Sequence, residues 1–182
     1  MDYSPSWPLL HQSWSHDSLV ADFVTNIIPP ADSNRYCVFS WLRDTITWTP
    51  VDAGVTRLAV SALATGWAGR VELRPDLIVK GLQMYTSATQ QLRRDLSEAR
   101  PPQMLATTAA FALYELFEFG SQDNNGWQYH IAGAAASVQA SSEVDLSMGP
   151  NLQILDFFRA IFVRLSSMLH NALGFNKLTR SR

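Results

Sequence analysis

Apolar residues in this chain recur every three or four positions, in segments that are separated by prolines and glycines. This spacing places side chains on one face of an α-helix, which repeats about every 3.6 residues. The clearest segment begins at Pro75, and its predicted helical face consists of Ile78, Leu82, Tyr85, Thr89, Leu92 and Leu96. Alternating strand-like runs bounded by Asn-Gly or Asp-Gly are absent from the sequence. The pattern therefore predicts an all-α fold.

The periodic segments predict about seven helices. Their approximate ranges are 14–28, 35–48, 51–68, 75–96, 103–119, 126–141 and 151–173. Because the connecting loops are short, we expect consecutive helices to pack as antiparallel neighbours in a single helical domain. That domain covers 14–174, between an irregular N-terminus at 1–13 and a short basic tail at 175–182. The last helix is apolar over a wide arc, which predicts that it is covered on two sides.

Composition narrows the classes of function. Charged residues make up 16% of the chain, against about 25% in typical globular proteins. With six Trp, nine Phe and five Tyr, this low charge predicts apolar surface that faces a partner. The net charge of −2 provides no basic field, so we expect no direct binding of nucleic acid.

The single cysteine, Cys37, excludes a disulfide framework and a cysteine-built zinc cluster, and is interpreted as a small core residue. No apolar stretch approaches the length of a membrane span, and the N-terminus lacks the pattern of a secretory signal. The sequence thus predicts no membrane partner and an intracellular protein.

The sequence contains no recognisable catalytic constellation. It lacks the nucleophile elbow, the dinucleotide-binding loop and the phosphate-binding loop, and no histidine forms a His-x-x-x-His or Glu-x-x-His pair on a helix face, as metal sites in helix bundles need. We therefore predict no catalytic residue, no metal site and no cofactor, and we expect recognition rather than catalysis.

Four polar or aromatic residues are candidates for ligand binding: Trp127, His130, Tyr85 and Glu115. His130 follows Trp127 by three residues, and it is either a polar group in a pocket or a donor to a loop carbonyl that fixes two helices together. Glu115 lies one turn before Glu118, so the two carboxyl groups either share a proton or a cation, or are exposed acids on a polar face.

Several motifs in the second half of the chain follow a familiar order. They are Tyr85-x-x-Ala88-x-x-x-Leu92-x-x-x-Leu96, Leu113-Tyr114-Glu115-Leu116-Phe117-Glu118, Trp127-x-x-His130-x-x-Gly133-Ala134, and Gly149-Pro150 before a long apolar helix. This order resembles the fungal-specific regulatory domain found C-terminal to binuclear zinc cluster transcription factors. The segment 19–23 resembles the opening helix of that family, and the resemblance extends over about 19–173.

The resemblance implies a transcription-regulator-like helical module that acts in the nucleus, or alternatively in the cytoplasm. It would bind a protein partner, a second copy or a hydrophobic small molecule through apolar helix faces, in control of a fungal metabolic or secondary-metabolite pathway. The DNA-binding head of the family needs six cysteines that hold two zinc ions, so this chain lacks that head. Family members continue with further helices after the Gly-Pro step, so we expect the last helix to lack its outer cover.

The excess of aromatic over charged residues leaves an alternative open. Aromatic side chains can line an apolar cavity, which would suit a small-molecule-binding protein or an enzyme of fungal secondary metabolism that reuses this helical fold.

Overall fold

A computed structural model of the chain describes residues 15–30, 37–48, 54–95, 101–118, 126–141, 147 and 150–163. The named helices are α1 (His16–Ile27), α2 (Trp41–Trp48), α3 (Gly54–Val71), α4 (Pro75–Asp95), α5 (Pro101–Glu118) and α6 (Gly126–Ala140). Residues 151–163 form a further helical segment, α7. No strand occurs among the described residues. The predicted all-α single domain is confirmed, whereas the predicted irregular N-terminus, the basic tail and the end of the last helix lie outside the described residues.

Residues that suit helix ends define the limits of α1 and α4. The backbone N–H of Ser18 donates to Oγ of Ser15, at 3.2 Å, which caps the N-terminus of α1. Pro75 is the first residue of α4, where a missing backbone N–H costs nothing. Arg93 and Arg94 lie in the last turn of α4, near the negative end of the helix dipole.

Helix α3 continues to Val71, three residues beyond its predicted end at 68, and Gly66 and Gly69 lie within it. Gly66 and Gly69 are buried inside α3 because α4 packs closely against them. A Cβ atom on Gly81 of α4 would lie 2.9 Å from the backbone N of Gly66, and one on Gly69 would lie 2.7 Å from the backbone N of Ile78. The two helices are antiparallel, since residues later in α4 contact residues earlier in α3.

The same close approach changes which face of α4 is buried. The buried residues are Leu77, Gly81 and Ala88, one position before the predicted stripe. Leu82, which belongs to that stripe, is exposed. The predicted face was only partly correct: Tyr85 and Leu92 pack against the core, but the fully buried positions lie one residue earlier, where α3 approaches α4 closely at Gly81.

Helix α5 lies at the centre of the domain, and its residues 105–115 are buried without interruption. It contacts α3 through a hydrogen bond of 2.9 Å between the hydroxyl groups of Thr56 and Thr107. It also packs closely on α6, where Gly133 leaves room for Thr108. Polar groups that α5 presents to its neighbours are therefore largely shielded from water.

The described part of α7 is covered on one side only. Phe157 packs against Trp41 of α2, with ring centroids 5.5 Å apart, and Gln153 donates to Oδ2 of Asp44 at 2.6 Å. On the other side Phe162 and Val163 are 65% and 67% exposed. The wide apolar arc predicted cover on two sides, whereas the family resemblance predicted that the outer cover is missing; the described residues supply one side.

Candidate functional site

Three of the four predicted site residues meet at the junction of α4, α5 and α6. The hydroxyl group of Tyr85 donates to Oε1 of Glu115 at 2.6 Å, and it lies 2.9 Å from Nε2 of His130. Nε2 of His130 is 4.0 Å from Oε1 of Glu115, so Tyr85 joins the two other side chains. We call Tyr85, Glu115 and His130 the polar triad.

The hydrogen bonds constrain the tautomer of His130. A phenol hydroxyl has one hydrogen, and that of Tyr85 donates to Glu115. The contact between Tyr85 and His130 is then a hydrogen bond for the tautomer that carries hydrogen on Nε2, in which donation runs from His130 through Tyr85 to Glu115. One of the two alternatives for His130 gave it a loop carbonyl as its partner. The observed partner is the side chain of Tyr85, and the contact joins α6 to α4.

Glu115 is buried, with a side-chain exposure of 9%, and this corrects the alternative in which it was an exposed acid on a polar face. The carboxyl group lies against the first residue of α6, Gly126. A Cβ atom at Gly126 would lie 2.6 Å from Cδ of Glu115 and 2.8 Å from Oε1. The glycine therefore leaves the space that the carboxylate occupies, and the positive end of the α6 dipole favours a negative charge there.

Aromatic rings enclose the triad. Tyr85 stacks on Tyr114, with ring centroids 4.5 Å apart and 9° between the planes, and its edge meets Phe111 at 5.2 Å. The ring of His130 is also 5.2 Å from that of Phe111. These rings exclude water from most of the triad, and the side chain of His130 is 16% exposed.

Burial shifts the protonation equilibria of two triad members in opposite directions. Desolvation lowers the pKa of His130 from 6.5 to about 4, because an imidazolium ion is poorly stabilised among apolar neighbours. Desolvation raises the pKa of Tyr85, and the hydrogen bond to Glu115 and its charge raise it further. Both groups are therefore neutral near pH 7, in agreement with the direction of donation.

The carboxyl group of Glu115 is only half satisfied by the surrounding protein. Oε1 accepts from Tyr85, whereas Oε2 is buried and has no hydrogen-bond partner among the described residues. A buried acceptor without a donor costs stability, so the bond from Tyr85 carries more weight than a hydrogen bond in a fully satisfied network. Chemically, the arrangement is a short chain of hydrogen bonds that ties three helices together.

Trp127, the fourth predicted residue, is half-buried in the first turn of α6. It forms neither a ring contact nor a hydrogen bond with the triad in the part of the chain that the structure describes. The aromatic wall comes instead from Phe111 and Tyr114 of α5, which were not among the predicted site residues. The available signal was that Phe111 precedes Tyr114 by three residues and Glu115 by four, so each of the two lies next to Phe111 on the surface of α5.

An apolar groove of about 900 Å³ separates α6 from α7, and no triad residue lines it. On the α6 wall it is lined by Ile131, Ala134, Ala135, Val138 and Gln139, and on the α7 wall by Leu152, Leu155, Asp156, Phe158, Arg159, Phe162 and Val163. We call this feature the α6–α7 groove. A smaller cavity of about 230 Å³ lies between α1, α2 and α3, also away from the triad.

Within the described ranges, no set of three His, Cys, Asp or Glu side chains is placed to hold a metal ion. In that same part of the chain, no helix combines the length and the apolar character needed to cross a membrane. Comparisons with protein-family models, with curated proteins and with solved structures found no match for this chain. The resemblance to the fungal regulatory domain therefore stays a prediction from the sequence.

Proposed function

We propose that this chain is a transcription-regulator-like recognition module that binds a protein partner through the α6–α7 groove. The observation that carries the proposal is the groove itself, which has a volume of about 900 Å³ and is lined mainly by apolar side chains of two helices. Apolar side chains along an open groove favour a bound partner, because leaving them in water is unfavourable. The low charge of the chain supports the same interpretation.

The resemblance to the fungal regulatory domain adds the biological context to the proposal. It implies a nuclear protein that controls a metabolic or secondary-metabolite pathway. These 182 residues have one cysteine and a net charge of −2, so the module would contribute recognition and would not itself contact DNA.

The alternative, a small-molecule-binding protein or an enzyme of secondary metabolism, has less support. Catalysis by the triad would need substrate access to His130 or Tyr85, but aromatic rings pack against both side chains, and that of His130 is only 16% exposed. The groove that could take a ligand is lined by other residues and offers few polar groups. General acid–base chemistry requires a titrating group within reach of the substrate.

A reporter assay tests the proposal. The full chain is fused to a heterologous DNA-binding domain and expressed in a fungal host that carries a reporter gene with the matching site. Ala135→Asp places a carboxylate in the groove, whereas Ala136→Asp places the same group at the next position of α6, which is exposed and outside the groove. The two variants match in chemistry and in helix propensity.

We expect the fusion to change reporter expression several-fold, Ala136→Asp to retain that effect, and Ala135→Asp to abolish it at equal protein level and equal Tm. Leu152→Asp, on the opposite wall, should behave like Ala135→Asp. A wild-type fusion without effect on the reporter would overturn the proposed function, and so would equal activity of the groove and control variants.

A further inference from the structure

The outer face of α7 carries a stripe of four exposed residues: Leu152, Asp156, Arg159 and Val163. Their spacing of four, three and four residues keeps them within an arc of about 60° around the helix, at about 100° per residue. Leu152 and Val163 are 60% and 67% exposed. The side chains of Asp156 and Arg159 are 51% and 83% exposed, and the two form a loose ion pair at 3.7 Å.

This stripe is complementary to itself. Read in either direction it has an apolar residue at each end, and its two central residues carry opposite charges. If a second α7 lies antiparallel across it, with a twofold axis between 157 and 158, Leu152 meets Val163 of the second copy. In the same register Asp156 meets Arg159 of the second copy, and the symmetry repeats both contacts. A twofold interface requires this kind of self-complementarity.

We propose that the α6–α7 groove is covered by a second copy of this chain, docked antiparallel along α7 in this register. The inference rests on the proposed function, because it names the occupant of the same groove. Charge complementarity selects the second copy, since the order of apolar, acidic, basic and apolar residues matches its own reversed image.

The size of the contact indicates a reversible dimer. The stripe from Leu152 to Val163 extends over about 17 Å of helix, and specific interfaces bury about 1,200 Å² or more in total. The stripe alone is short for that area, so the wall of α6, with Ile131, Ala135 and Val138, must also meet the second copy. The result is an arrangement of four helices, two from each copy.

Charge reversal tests the register. In a dimer of Asp156→Arg, the new arginine would face Arg159 of the second copy at both symmetry-related contacts. In a dimer of Arg159→Asp, the new aspartate would face Asp156 of the second copy at both contacts. An equimolar mixture of the two variants places opposite charges at both contacts of a heterodimer. The intrachain pair is largely exposed and contributes little to stability, so both variants should keep the wild-type Tm.

Sedimentation velocity over a concentration series is the measurement. We expect a monomer–dimer equilibrium for the wild-type chain, a dissociation constant raised about tenfold or more in each single variant, and recovery in the mixture and in the double variant. A wild-type chain that stays monomeric up to sub-millimolar concentration would overturn the inference, as would single variants that dimerise normally or a mixture that shows no recovery.

The two proposals fail in different ways. If the chain is monomeric but its reporter effect still depends on Ala135, the groove binds a different protein. This result refutes the dimer and supports the proposed function. A dimer that recovers with the mixed charge variants but has no reporter effect refutes the proposed function alone.

Discussion

Replacing His130 with Gln should flatten the dependence of stability on pH. The side-chain amide of glutamine can donate to the hydroxyl group of Tyr85 from about the position of Nε2, but it does not titrate. In the folded chain the pKa of His130 is lowered to about 4, against an ordinary value of 6.5. As pH falls below 6.5, the unfolded chain therefore takes up a proton that the folded chain does not bind until about pH 4.

The magnitude follows from the difference between these two pKa values. One pKa unit corresponds to about 1.4 kcal/mol, so the contribution of His130 to the free energy of unfolding is fully present above pH 6.5. It decreases by about 2 kcal/mol at about pH 5, and by about 3 kcal/mol once the pH is below the folded-state pKa. The sign is unambiguous, because the unfolded state binds more protons throughout this range.

Urea unfolding at a series of pH values between about 7.5 and 5, followed by circular dichroism, measures this directly. The wild-type free energy of unfolding should fall by about 2 kcal/mol more than that of His130→Gln over this range, while carboxyl groups common to both proteins cancel. Parallel curves for the two proteins would refute the reasoning. So would an NMR titration in which the His130 ring of the folded chain changes its shift near pH 6.5.

Two further substitutions test the packing around the triad and between the helices. Tyr85→Phe removes the donor to Oε1 of Glu115 and should cost about 2–3 kcal/mol in urea unfolding, whereas Tyr129→Phe, at an exposed tyrosine, should be neutral; equal effects would show that the buried hydrogen bond is unimportant. Gly81→Ala places a Cβ atom 2.9 Å from backbone of α3 and should destabilise by about 1–3 kcal/mol. By contrast, Gly133→Ala meets only a methyl group at 3.7 Å and should stabilise by about 0.5–1 kcal/mol, so a Gly81→Ala chain as stable as Gly133→Ala would contradict the close approach of α3 and α4.

The sequence was sufficient for the fold because amphipathic periodicity is a local property. Apolar spacing and prolines predicted the helices of the described region to within a few residues at most ends. The prediction from sequence failed where the end of a helix depends on contacts with a neighbouring helix. Gly66 and Gly69 look like terminators in isolation, and only the presence of Gly81 on α4 explains why α3 continues through them.

The site was predictable only in part, for a related reason. Tyr85, Glu115 and His130 could each be chosen as unusual residues on apolar helices, but they come from three helices and their meeting depends on how those helices pack. The burial of Glu115 depends on a donor 30 positions away in sequence and on the absence of a side chain at Gly126. No local pattern contains that information. Trp127 was grouped with His130 by helical spacing, but the aromatic wall of the site comes from α5.

The triad and the groove are connected through α6. His130 faces α4 and α5, and the next residue, Ile131, lines the groove. Successive residues of a helix point about 100° apart, so the hydrogen bond from His130 to Tyr85 fixes the rotation of α6 and thereby the direction of Ile131, Ala135 and Val138. Because apolar side chains of similar size pack almost equally well after a small rotation of the helix, hydrophobic contacts alone would not fix that rotation. A buried polar contact does fix the rotation of α6, because rotating the helix by one residue position would break the hydrogen bond between Tyr85 and His130. The enclosed triad thus suits a positioning role, in which it sets the geometry of the recognition surface without contacting what binds there.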